Sequence, residues 1–288
     1  GAVFLQANVS GDLISPGLAA ARQIDQPDFY ANINSGNVEA FLEWTENRTH
    51  VTELLGAPID TSHTGHALYG SLSYSTGDFG ITYEYKNYSY FKHPVGDLFQ
   101  DVFSRVPLAS PPEVYKEFTF TSIGRTTHGV WFDDEVGMQL EANITAVPNW
   151  TFDVYGATSS RHERYNAAGA IVDSTSLFPT LSHNGFYPFW EWFAEAEWTF
   201  TPGNELNYLR LALHHRSDVI SYNPYDSTAE MKTSTTLAAK FQYETSASQS
   251  VLAILENQWA YDQSMITTDK ERLNEILTLQ YSINPIII

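Results

Sequence analysis

Residues 189–200 read FWEWFAEAEWTF, and the period of this stretch decides the fold class. In an extended strand successive side chains point to opposite faces, so the three tryptophans here share one face and the three glutamates share the other. The two sets are Trp190, Trp192 and Trp198 on one side and Glu191, Glu195 and Glu197 on the other. An α-helix would spread both sets around its circumference, so the stretch predicts a β-strand.

The same alternation of apolar and polar residues recurs along the chain. It is present in VEAFLEWT (38–45), FGITYEYK (79–86), VGMQLEANITA (136–146), ELNYLRLALH (205–214) and TTLAAKFQYE (235–244). Most of the strands predicted from this alternation run for about nine to twelve residues, against about five or six in a soluble β-protein. A tilted strand needs about nine to eleven residues to cross a bilayer, so this length favours membrane-spanning strands over a soluble β-sandwich.

The connections between these strands alternate in length. Short turns such as SGN, STGD and TPGN alternate with long connections. The long connections are predicted at 47–65, 89–135, 159–188, 217–232 and 260–271. Tight periplasmic turns and long extracellular loops give this pattern in outer-membrane barrels. The sequence therefore predicts an all-β, antiparallel transmembrane β-barrel, with residues 1–288 forming a single domain in the outer membrane of a Gram-negative bacterium.

The segment 89–135 is predicted to be a long extracellular insertion. Its residues 115–122, YKEFTFTS, look like a strand. One more spanning strand here would break the alternation of short and long connections, so we expect the insertion to cap the barrel or fold into its mouth. The chain ends YSINPIII, and Pro285 is unsuited to a central strand. We therefore expect at least about twelve strands, in a chain that continues beyond this sequence.

Composition excludes several functional classes. The 288 residues include 15 Lys and Arg against 34 Asp and Glu, a formal charge of −19, and no cysteine. Binding to a phosphate backbone needs clustered Lys and Arg, so nucleic acid is not an expected partner. The expected partners are membrane lipid and lipopolysaccharide, with a lipoprotein or a periplasmic or surface subunit as a further candidate. No cofactor is expected.

Two stretches resemble one family of proteins. GHALYGSLSYSTGDFGITYEYKNY (65–88) resembles a hairpin of a poorly characterised family of outer-membrane β-barrels from Bacteroidetes-type bacteria. PPEVYKEFTFTSIGRTTHGVWFDDEVGMQLEA (111–142) is similar to the same family, in which a Pro-Pro loop leads to an Arg-x-Thr-His turn, an acidic residue and a strand. The residues that carry the resemblance are Pro111, Pro112, Tyr115, Lys116, Arg125, Thr127, His128, Glu135, Gly137, Gln139 and Glu141. The resemblance implies a barrel in the outer membrane and no particular activity.

Alternation also predicts which charged side chains line the lumen. The candidate solute-contacting residues are Glu84, Glu141, Glu191, Glu195, Glu197, Arg210 and Lys240. Their excess of acids predicts porin-like passage or binding of small polar or cationic solutes. Two alternatives stay open. The acids pair within an ordinary polar interior, or the barrel is a structural anchor in an envelope assembly whose lumen is closed by 89–135.

The case for chemistry at these residues is weaker. Glu195 and Glu197 are carboxylates two positions apart on one face, which is a common arrangement as well as a possible acid–base pair for glycoside hydrolysis. His128 with the acidic residues 133–135 could bind a cation, but we favour a solvated acidic turn. The sequence therefore predicts no enzyme activity, no catalytic residue and no metal ligand.

Overall fold

The computed structural model describes residues 1–12, 19–54, 57–89, 118–124, 128, 134–201, 206–246, 249–264 and 270–283. Most of this backbone is extended, and one antiparallel sheet of 12 strands dominates it. The all-β, antiparallel fold class predicted from the alternating pattern is confirmed. No helix in the described ranges is long and apolar enough to cross a membrane.

Within the described ranges, fourteen strands, one turn of α-helix and one 3-10 turn, Asn184–Phe186, follow one another. The strands are β1 Ala2–Asp12, β2 Ala19–Ser35, β3 Val38–Leu54, β4 Ala57–Ser75, β5 Phe79–Ser89, β6 Glu135–Ile144, β7 Trp150–Ser160, β8 Glu163–Tyr165, β9 Ile171–Ser174, β10 Phe189–Thr199, β11 Tyr208–Asn223, β12 Thr228–Ser246, β13 Gln249–Asp262 and β14 Glu271–Ile283. The helical turn, α1 Thr121–Gly124, lies between β5 and β6. Strands β8 and β9 form a separate hairpin, and the other strands pair in chain order.

The sheet does not close on itself within the described residues. There β1 pairs only with β2, and β14 pairs only with β13, so these two strands are the edges of the sheet. The predicted succession of twelve antiparallel strands is present, and barrel closure is not found among them.

Several strands are longer than their hydrophobic pattern predicts. β3 ends at Leu54 and β4 begins at Ala57, so the predicted loop 47–65 is instead the end of a long hairpin. The predicted loop 217–232 likewise shrinks to the turn between β11 and β12. The sequence at these ends is mainly polar on both faces. Backbone pairing satisfies the peptide groups there without any apolar period to signal it.

The two faces of the sheet differ in polarity. One face, here the apolar face, presents exposed large apolar side chains, including Leu42, Leu72, Leu140, Val154, Trp192, Leu211, Leu237 and Leu255. The opposite face, here the polar face, carries buried polar side chains, including Lys86, Gln139, Glu191, His214, Thr236 and Glu256. A soluble sheet with one covered face normally buries its apolar side, so this arrangement is the reverse of the usual one.

Candidate functional site

Residues 118–124, here the inner segment, pack on the polar face at mid-height of β7 and β10. The segment contributes to a buried hydrophobic cluster. Its members are Phe120, Ile123, Tyr155, Phe193, Ala212 and Ala238, and Phe118, Ala157 and Ile254 pack against it. The Phe118 ring lies 5.1 Å from the ring of Phe193 and 5.3 Å from that of His214, measured between centroids. Full burial of one such apolar side chain contributes about 1.5–3 kcal/mol, so the segment is held firmly in place.

Strand β13 fixes the start of α1 through a carboxylate. Glu256 accepts hydrogen bonds from the backbone amides of Thr121, at 3.2 Å, and Ser122, at 2.7 Å, and from the Ser122 hydroxyl. Gln258 donates to the carbonyl of Ser122 at 2.7 Å. The first amides of a helical turn have no partner within the turn, so Glu256 supplies what the local backbone lacks.

His128 makes a second contact between the insertion and the polar face. Its Nδ1 lies 3.2 Å from Asp218 Oδ2, and its Nε2 lies 3.4 Å from Glu135 Oε1. The imidazole also stacks on the ring of Phe189 with centroids 4.1 Å apart. Burial alone would lower the pKa of His128, but hydrogen bonds to the two carboxylates and their negative charges outweigh burial and raise it. The charged imidazolium is therefore favoured at this position.

Both of these carboxylates also pair with a second cation. Lys86 Nζ lies 2.6 Å from Glu135, and Arg216 Nη2 lies 2.7 Å from Asp218. Gly137 makes room for the first pair, because a Cβ atom there would lie 2.7 Å from Lys86 Cε. Breaking a buried ion pair leaves an uncompensated charge at a cost of about 3–5 kcal/mol. Replacing any one charged residue of this network by a neutral one should therefore destabilise the fold.

Ser159, His128 and Asp218 lie side by side in the order of a Ser–His–Asp triad. The Oγ of Ser159 lies 3.3 Å from His128 Nε2. In serine hydrolases a neutral imidazole accepts the serine proton. Here Ser159 is buried, both ring nitrogens of His128 lie beside carboxylates, and the raised pKa of His128 disfavours the neutral imidazole. The arrangement therefore favours a structural contact over a nucleophile.

Four of the sequence-predicted lumen residues come together near the short-turn end of the polar face. Glu197 accepts hydrogen bonds from Arg210, one of them at 2.8 Å from Nε, and Glu195 Oε1 lies 3.3 Å from the same nitrogen. Lys240 is the cross-strand neighbour of Arg210, and its Nζ lies 5.5 Å from the ring centroid of Tyr208. The acids on this part of the face are therefore largely neutralised by adjacent bases.

The other predicted residues lie apart from this group. Glu191 Oε2 is 3.3 Å from Nε2 of the buried His214. Glu84 accepts hydrogen bonds from Gln139 and from a tyrosine hydroxyl of β4. Glu141 lies on the same face of β6, between β5 and β7. The structure places all of them on the polar face without joining them in one pocket, and their contact with a solute stays a prediction.

Sequence reasoning missed the network around His128. The prediction of a solvated acidic turn there is wrong, because Asp134 and Glu135 are both buried. The sequence gives little indication of this network, because His128 and Asp218 are 90 positions apart. Asp133 lies outside the described residues. So do the residues within 111–116 and 125–127 that carry the resemblance to the outer-membrane family. No protein-family model and no curated protein matches the chain, so its function is inferred from these contacts.

Proposed function

We propose that the chain forms a β-barrel of the Gram-negative outer membrane, with its polar face toward the lumen and its apolar face toward lipid. The support is the reversed polarity of the sheet, which exposes large apolar side chains over many consecutive strands. In hydrocarbon every backbone group needs a partner, so a sheet spans a membrane only as a closed barrel. Because the sheet is an antiparallel meander of 12 strands, its edge strands β1 and β14 run in opposite directions. Closure of the barrel by antiparallel pairing of β1 with β14 requires this.

We further propose that the resting barrel is closed and serves as a structural or anchoring element of an envelope assembly. The observation that carries this is the seating of the inner segment on the polar face, with Glu256 capping α1. An aromatic cluster at mid-height would fill the lumen where a pore needs water. The pairing of Glu197 with Arg210 likewise leaves fewer free charges to attract a cation.

Passage or binding of small polar or cationic solutes is the second candidate function. One observation favours it. Glu84, Glu141, Glu195 and Glu197 are only partly buried, and they lie on the polar face outside the cluster of the inner segment. They could line a vestibule that becomes a path if the inner segment is displaced.

Single-channel recording in a planar bilayer separates the two functions. We expect the folded wild-type protein to show no steady conductance steps, only rare and brief openings. In a variant that replaces 90–133 with Asn-Gly, β5 and β6 become a tight hairpin, because Tyr88 and Glu135 are already paired. This variant should conduct. A matched control replaces 163–174, the β8–β9 hairpin outside the main sheet, and should stay silent.

Two results would count against closure of the resting lumen by the insertion. Steady steps from the wild-type protein would overturn it and support passage. A 90–133 replacement that folds, as judged by a heat-modifiable band on a gel, and yet stays silent would mean that the insertion does not close the lumen.

A further inference from the structure

The connection between β7 and β10, residues 161–187 and here the outer flap, folds back over the apolar face. Tyr85 and Asn87 point to that face of β5, because they alternate with residues on the polar face. Asn87 Nδ2 donates to the carbonyl of Ser176 at 2.7 Å, and Tyr85 Oη donates to the carbonyl of Leu177 at 2.8 Å. The flap is therefore fastened to the outside of the sheet, away from the inner segment.

Two neighbouring strands hold the same flap. Next to β6, Asp134 Oδ1 accepts a hydrogen bond from the backbone amide of His162 at 2.8 Å and lies 2.8 Å from its Nδ1. At the end of β7, the hydroxyl of Ser160 accepts a hydrogen bond from the amide of Thr180 at 3.0 Å. These contacts make the flap an ordered part of the fold on the outward side of β5 to β7.

The free side of the flap is apolar. Leu177 is 62 % exposed, Phe178 61 % and Leu181 52 %, and Ile171 and Val172 on β9 are also exposed. The backbone carbonyl of Leu177 is bonded to the sheet while its side chain is open to the surroundings. A cluster of large apolar side chains on an ordered surface marks an interaction site.

We propose that the outer flap is a lipid-contacting apron, and that Leu177, Phe178 and Leu181 insert among acyl chains beside the barrel wall. The inference rests on the proposed membrane location. Lipid is the occupant because the flap continues the apolar face. The backbone carbonyl of Leu177 accepts a hydrogen bond from Tyr85 on β5. Two residues further along β5, Tyr83 and its cross-strand neighbour Leu140 on β6 lie on the same apolar face, and Leu140 is exposed.

The chain has no cysteine, so a single introduced cysteine gives a unique label for testing this contact. The variants Phe178→Cys, Leu140→Cys and Tyr225→Cys would each carry an environment-sensitive nitrobenzoxadiazole dye. Leu140 reports on the sheet face, and Tyr225, 80 % exposed in the turn between β11 and β12, reports on water. Each protein is inserted into phosphatidylcholine vesicles with or without brominated acyl chains, and iodide is then added from outside.

Brominated lipid should quench the dye at 178 about as strongly as at 140 and should leave the dye at 225 unchanged, while iodide should do the reverse. If lipid quenches the dye at 140 but only iodide quenches that at 178, the lipid apron is overturned and the membrane barrel stands. If lipid fails to quench position 140 in the folded protein, the membrane location falls and the apron falls with it.

Discussion

Glu256 on β13 accepts two hydrogen bonds from Ser122, one from its backbone amide at 2.7 Å and one from its hydroxyl. This pair joins the insertion to a strand 134 positions away. A buried carboxylate is costly unless it is fully hydrogen-bonded, and α1 supplies the donors. The two groups satisfy each other, so neither the strand nor the segment is complete without its partner.

Removing the Glu256 carboxylate should release the inner segment. Glu256→Ala leaves the Thr121 and Ser122 amides without an acceptor, at about 1–3 kcal/mol for each buried group. Hydrogen exchange, followed by mass spectrometry on a peptide that contains 118–124, should then accelerate at least tenfold, because about 1.4 kcal/mol is one factor of ten. Glu275→Ala, at an exposed position on β14, is the control and should leave this peptide protected. Equal protection in both variants would contradict the capping role.

Raising the pH should weaken the contact of His128 with Glu135 and Asp218, which is the second contact between the insertion and the polar face. The pKa of His128 is raised in the fold, so the stabilisation from its charge is fully present below about pH 6.5, the ordinary histidine value, and is lost as pH rises through the folded pKa. The groups that face the ring are Asp218, Glu135, Ser159 and Phe189. Opening events in a planar bilayer should therefore become more frequent at higher pH.

A variant separates this effect from other titrations. His128→Gln keeps a polar side chain but cannot gain a proton, so its opening frequency should not change over the same pH range. A pH response of equal size in the wild-type protein and in His128→Gln would assign the effect to another group.

Adding a methyl group at Gly137 should disturb the buried ion pair. A Cβ atom there would lie 2.7 Å from Lys86 Cε and 2.9 Å from Ser159 Cβ, so the side chain of Lys86, which pairs with Glu135, or the strand that carries Ser159 must shift. We expect Gly137→Ala to cost about 1–3 kcal/mol, the usual range for overpacking. Urea unfolding in detergent measures it. Gly156→Ala is the control, because its Cβ would meet only a backbone oxygen at 3.9 Å.

The parts of the fold that could be predicted are those governed by local alternation. The period of two places Glu191, Arg210 and Lys240 on one face, and strand adjacency is enough to set Glu197 beside Arg210. The inner segment could not be predicted in this way. Residues 118–122 alternate as a strand would, yet they are not in a strand, and α1 begins within them at Thr121. Packing against distant aromatic residues and the cap from Glu256 outweigh that local preference.

The acids of the polar face should set ion preference once the lumen is open. In the 90–133 replacement, the variant Glu191→Gln, Glu195→Gln and Glu197→Gln leaves Arg210 without its carboxylate partners. We expect the reversal potential under a salt gradient to move toward anion preference. Adding Arg210→Gln to the same protein should restore part of the cation preference. An unchanged reversal potential in the triple variant would remove these glutamates from any role in selectivity.

Loosening the outer flap should not affect the inner segment. Asn87 holds the flap through Ser176 and lies 3.1 Å from His162 Nε2, so Asn87→Ala removes both contacts at a cost of about 0.5–1.5 kcal/mol each. Hydrogen exchange should rise in peptides from 162–181 and stay unchanged in 118–124, because the two segments pack on opposite faces of the sheet. Asn143→Ala, at an exposed position on β6, is the matched control. Faster exchange in both segments would mean that the flap and the inner segment are coupled through the sheet.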